Sequence, residues 1–191
     1  QINICMGSHR HYLDVDKTFK NGNRIDFFRP FIENKKVLHV GYSDWPKIKV
    51  HKSLHLQIAP LCERLDGLDY HAAEVLRVPN GELYSSWDQI SDVYDTILIP
   101  EVIEHVDNVQ SFLQQVDQFQ GVVIITAPDA YLLHQTNFKE LDDGKFYELV
   151  HADHNCWYSP FTLSNTINKY SRRRVKSLHW LMNQSIAAVC E

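Results

Sequence analysis

The sequence has no apolar run approaching the roughly 20 residues that a membrane-spanning helix needs, and no secretory signal pattern. It has no excess of positive charge. The formal net charge is −5, with 19 Lys and Arg against 24 Asp and Glu. That removes any global electrostatic argument for nucleic acid or an anionic membrane. The four cysteines, Cys5, Cys62, Cys156 and Cys190, lie far apart and form no CxxC pair. They read as free thiols in a reducing cytoplasm. No G-x-G-x-x-G occurs, which disfavours a nicotinamide enzyme. Repeats, low-complexity tracts and an interdomain linker are also absent. A chain of 191 residues is therefore expected to form one domain with a full core. The first residue is Gln rather than Met, so the chain is expected to be trimmed or to be part of a longer polypeptide.

What is present is a repeated strand–helix pattern. Lys36 to Val40 (KVLHV) is a strand that runs into Gly41, where a sharp turn is needed. Leu54, Ile58, Leu61, Cys62 and Leu65 recur at helical spacing, and Pro60 should split that helix. Leu65 to Leu68 is a short strand with Asp69 at its end, Pro79-Asn80-Gly81 is a turn, and Glu82 to Tyr84 is a weak strand. Asp95 to Ile99, closed by Pro100, and Gly121 to Ala127, closed by Pro128, are buried strands. Asp107 or Asn108 caps a helix whose stripe is Val109, Phe112, Leu113 and Val116. Residues 129–153 are irregular and aromatic, which predicts a functional loop or lid that contacts substrate through Tyr131, Phe138, Phe146 and Tyr147. Ser159-Pro160 opens another helix, and Val175 to Leu181 with Ser185 to Cys190 form a closing hairpin. Repeated βα units predict an α/β fold with a parallel sheet covered on both faces. Residues 1–34 form an N-terminal arm or helix covering the site, from which Arg10, Tyr12 and Arg24 could reach a substrate. Residues 35–191 form the main domain.

The chemistry concentrates at EVIEH, where Glu101, Glu104 and His105 stand at i, i+3 and i+4. On one helical turn those side chains share a face. Placed at the carboxyl end of a buried strand, they sit where open α/β sheets bind ligands.

The pieces YDTILIPEVIEHV and GVVIITAPD, with the Gly turn after the first strand and the acidic end of the second, resemble the class I S-adenosylmethionine-dependent methyltransferases. The resemblance runs from about Lys36 to Cys190. It implies a Rossmann-like, doubly wound sheet of seven strands that ends in an antiparallel hairpin. It also implies S-adenosylmethionine as cofactor. The methionine end would lie at the Gly41 turn with Tyr42 and Ser43, the ribose at Asp69 and Tyr70, and the reactive sulfonium near Pro100 and Glu101. The first turn departs from the family pattern: His39 stands at the usual acidic position, and Ser43 and Trp45 replace expected glycines.

A narrower resemblance is to metal-dependent O-methyltransferases, through E-x-x-E-H and the downstream D-H of HADHNCWYSP. It implies metal ligands at Glu101, Glu104, His105 and His154, with His151 competing for the fourth place. The ion would be Mg²⁺ or Mn²⁺, and the imidazoles move the preference toward transition metals. In a metal-free enzyme His105 or His154 would be the general base. The acceptor implied is a hydroxyl of a sugar, glycan or small metabolite. A degenerate scaffold and an RNA ribose 2′-O-methyltransferase are the two alternatives, and Arg172-Arg173-Arg174 is the only local support for RNA.

Overall fold

The computed structural model describes residues 10–43, 46, 48–71 and 73–191. Trp45, His9 and Cys5 lie outside the described residues. Among the described residues there are ten strands and five α-helices. They are β1 (Val15–Asp16), α1 (Arg24–Ile32), β2 (Lys36–Val40), α2 (Leu54–Ile58), β3 (Arg64–Leu68), β4 (Leu83–Tyr84), β5 (Thr96–Pro100) and α3 (Val109–Val116). Then follow β6 (Val122–Pro128), α4 (Ala130–Asn137), β7 (Phe138–Glu140), β8 (Phe146–Glu148), α5 (Pro160–Tyr170), β9 (Val175–Leu181) and β10 (Ser185–Cys190).

Eight strands make the main sheet in the order β1-β9-β10-β6-β5-β2-β3-β4. Strands β4, β3, β2, β5 and β6 are parallel, and β10 runs antiparallel to both β6 and β9. The eighth strand comes from the N-terminal segment, where Val15 and Asp16 pair in parallel with Leu178 and His179 on the outer edge. Period-two alternation distributes each strand between two cores. Leu38, Ile97, Ile99, Val123 and Ile125 face α3 and α5, while Val37, Leu98 and Ile124 face α1 and α2. Helices therefore cover both faces, as a parallel sheet requires.

Helix starts follow local chemistry. Asn108 Oδ1 accepts from the Ser111 amide at the start of α3, and Asp129 Oδ1 accepts from the Tyr131 and Leu132 amides at the start of α4. Ser159 caps α5 with Pro160 in its first turn. Pro60 ends α2 in a 3₁₀ turn over Ala59–Leu61. Two expectations need correction. Residues 129–153 are not an irregular loop. They hold α4 and the β7–β8 hairpin, whose strands are short and mostly exposed. Nor do Glu101, Glu104 and His105 share an α-helical turn. Glu101 has φ +53, and only Ile103–His105 is helical, as a single 3₁₀ turn.

The site is fixed by where chain direction reverses in the sheet. The chain moves outward from β2 through β3 to β4, then returns to β5 on the other side of β2. A crevice opens at the carboxyl ends of β2 and β5, as it does at such switch points generally.

Candidate active site

The crevice is a cavity of about 1020 Å³ lined in part by Gly41, Asp69, Tyr70, Pro100, Glu101, Glu104, His105 and His154. Arg24, Lys49, Trp87, Phe112, His151 and Asp153 also line it. Nearly all the residues expected at the cofactor and the metal are thus brought to one place. Tyr42 and Ser43 are not. Tyr42 is buried and its hydroxyl accepts from the Ala73 amide at 2.9 Å. A Cβ on Gly67 would stand 2.7 Å from the Tyr42 ring, so that glycine makes room for it. Ser43 is buried and donates its hydroxyl to Asp69 Oδ2 at 2.8 Å.

Gly41 turns the chain out of β2 at φ +74, and a Cβ there would meet Val102 Cγ2 at 2.3 Å. Both facts require glycine. Asp69 ends β3. Its Oδ2 accepts from the Ser43 amide as well, and its Oδ1 accepts from the His71 amide. Three of the roughly four acceptor sites of a carboxylate are used. Arg24, at the start of α1, reaches the cavity and makes no ion pair among the described residues. Tyr12 is 87% exposed and, like Arg10, is not among the lining residues.

Glu101 leaves β5 in the left-handed region, held by two donations from its amide, to Thr126 O at 3.0 Å and Thr126 Oγ1 at 3.2 Å. Its carboxylate accepts the Thr126 hydroxyl at 2.6 Å. Burial pushes its pKa up, against the opposing Thr126 hydrogen bond and the Arg24 charge. The 3₁₀ turn that follows drives Ile103 into the core and presents Glu104 and His105 beside each other. Asn155 ties a distant segment to this turn. Its amide donates to Glu104 O at 2.8 Å and its Nδ2 donates to His105 O at 3.0 Å. That clamp delivers His154.

Glu104 is 1% exposed, and among the described residues neither carboxylate oxygen has a hydrogen-bond partner. Its Oε1 lies 3.9 Å from His105 Nε2 and 4.0 Å from His154 Nε2. Those gaps are too long for hydrogen bonds. They suit ligands of one ion, since bonds of about 2.0–2.2 Å put ligand atoms roughly 3–4 Å apart. Ligand atoms of Glu104, His105 and His154 all lie within 4.8 Å of one another. Glu101, committed to Thr126, is outside that group. Burial, then the Glu101 charge, pushes the Glu104 carboxyl up to about 9. Burial also lowers both imidazoles, and His154 lowers further beside His105. Neutral imidazoles are the form that binds metal.

The cavity also takes residues to which the sequence analysis assigns no role, among them Lys49, Lys52, Trp87 and Asp153. Only Asp153 carried a local signal, the D-H pair of HADH. The described cysteines Cys62, Cys156 and Cys190 are free thiols. No helix among the described residues is long and apolar enough to cross a membrane.

No protein-family model matches the sequence, and no curated protein matches it. Solved structures do. An S-adenosylmethionine-dependent methyltransferase from Aquifex aeolicus superposes with a TM-score of 0.60 at 12% identity, over 87% of each chain. One from Mesorhizobium loti gives 0.57 at 9% identity, over 87% of this chain and 95% of the other. The glycopeptide N-methyltransferase MtfA, solved with sinefungin, gives 0.54 at 11% identity, over 96% of this chain and 99% of the other. At these identities the likeness shows a shared fold, and that fold is the Rossmann-like sheet of the class I methyltransferases.

Proposed function

We propose that the chain is an S-adenosylmethionine-dependent methyltransferase that methylates a hydroxyl of a sugar, glycan or other small metabolite. In this reading Glu104, His105 and His154 hold a divalent ion. Glu104 is the observation that carries it. A buried carboxylate without a partner is strongly disfavoured, and two neutral imidazoles stand where they cannot hydrogen-bond it. A dication supplies the charge that the carboxylate lacks and the acceptor that the imidazole nitrogens need. Two nitrogens and one oxygen favour Mn²⁺ or another transition metal over Mg²⁺.

When bound, the sulfonium supplies an activated methyl group and the ion lowers the pKa of the acceptor hydroxyl. The residues bind, orient and exclude water. Asp69 retains acceptor capacity for a ribose hydroxyl. Arg24, which makes no ion pair among the described residues, offers its guanidinium to the cofactor carboxylate. Gly41 lets ligand atoms approach the backbone, and Pro100 and Glu101 wall the reacting end. Trp87 and Phe112 give the cavity an apolar side that keeps water out. At about 1020 Å³ the cavity is at the upper end for one ligand, which leaves room for an acceptor.

Calorimetry with S-adenosylmethionine and S-adenosylhomocysteine, each with and without Mn²⁺, tests the reading. Binding of both nucleosides, and of one Mn²⁺ per chain, is the expected result. No nucleoside binding at millimolar concentration would overturn it in favour of a scaffold that has lost the activity.

A further inference from the structure

The ligand set of Glu104, His105 and His154 is mostly buried. The Glu104 side chain is 1% exposed and that of His154 is 11%. A hydrated ion must shed water to reach it. A second set lies directly outside. His105, His151 and Asp153 each bring a ligand atom, and these atoms also lie within 4.8 Å of one another. Exposure rises along the series, from 32% for the His105 side chain to 52% for His151 and 73% for Asp153. The rings are contiguous, with centroids of His151 and His105 5.4 Å apart and those of His105 and His154 4.5 Å apart. His105 belongs to both sets, so they read as alternatives for one ion. Behind it lie the two oxygens of Glu104, which have no hydrogen-bond partner among the described residues.

We propose that His105, His151 and Asp153 form an outer, solvent-facing site for the same transition-metal dication, from which the ion passes to Glu104 and His154 by ligand exchange at His105. The inference rests on the metal reading above. The physical reason is stepwise desolvation. Asp153 and His151 replace part of the hydration shell at the surface, while the ion is still open to water. His105 then stays bound as His154 and Glu104 replace His151 and Asp153. At no step is the ion stripped without a protein ligand, which avoids the large penalty of a bare buried charge. The outer set matches the inner one in donor type, imidazole and carboxylate, so the same class of metal is selected at both.

Stopped-flow mixing of the chelator-treated chain with Co²⁺, followed by its visible absorption, tests this. The variants are His151→Ala and Asp153→Asn, with thermal unfolding to show that each folds. Uptake and release should both slow by the same factor, while the equilibrium dissociation constant hardly changes. Unchanged rates would overturn the proposal. So would a loss of affinity in proportion to the rates, which would make His151 a resident ligand, or two Co²⁺ ions per wild-type chain. If the wild type takes up no Co²⁺, the metal reading itself fails and this inference with it.

Discussion

Glu104→Gln preserves the shape of the side chain and removes its ionisation. In the metal-free protein the carboxyl is raised to about 9, first by burial and then by Glu101. Unfolded, it returns to about 4.3. A raised folded pKa means the native state holds the proton more tightly than the unfolded chain does. The stability from that proton is fully present below about pH 4 and is lost as pH rises through about 9. At pH 7 the unfolded carboxyl ionises freely while the folded one cannot, a difference on the order of 4 kcal/mol against the fold. Glutamine carries no such term. In chelator, the Gln variant should therefore exceed wild type by up to about 4 kcal/mol at pH 7 and nearly match it at about pH 4.5. Mn²⁺ should close the gap, adding about 4.1 kcal/mol to wild type at a thousandfold excess over its dissociation constant and little to the variant. Urea unfolding at pH 4.5 and pH 7, in chelator and in Mn²⁺, measures all four values. A Gln variant less stable than wild type in chelator at pH 7, or a gap that does not change with pH, would refute the reasoning.

Three further substitutions probe the frame of the site. Asp69→Asn should weaken S-adenosylhomocysteine binding by about 1–3 kcal/mol in calorimetry, and an unchanged constant would remove Asp69 from the ribose. Gly41→Ala meets both a φ of +74 and the Val102 methyl, so it should lower stability by at least about 1 kcal/mol. Adding Val102→Ala should recover only the steric part in a melting experiment. Tyr94→Phe removes one of three donors to the fully buried Asp66, which also accepts from Arg64 Nε and the Glu82 amide. A loss of about 1–3 kcal/mol in urea unfolding is expected, and no loss would mean that water or Arg64 compensates.

Much of the fold was legible because local chemistry and burial agree. KVLHV, the Ser159-Pro160 helix start and the closing hairpin each carry their own signal, a buried run, a cap or paired β-branched runs. Strand β1 is two residues long and exists only because β9 offers an open edge. No pattern in Val15 and Asp16 announces that. Strand β8 is exposed along its whole length, so it lacks the alternation by which a strand is read. The EVIEH segment shows a different limit. Spacing at i, i+3 and i+4 predicts one helical face, yet nothing in the letters reveals that Glu101 turns left-handed. Its position depends on Thr126, a residue in another strand. Glu104, His105 and His154 still converge, because a 3₁₀ turn puts adjacent residues at the cavity and Asn155 fastens the far segment to it. Tyr42 and Ser43, neighbours of Gly41 in sequence, instead point into the protein, where Gly67 and Asp69 receive them.

Anomalous diffraction from crystals grown with Mn²⁺ and S-adenosylhomocysteine tests the proposed chemistry most directly. The predicted result is one Mn²⁺ peak bounded by Glu104, His105 and His154, with the nucleoside in the same cavity, its ribose at Asp69 and its sulfur turned toward the ion. A peak with other ligands, no peak, or a nucleoside bound outside the cavity would contradict it.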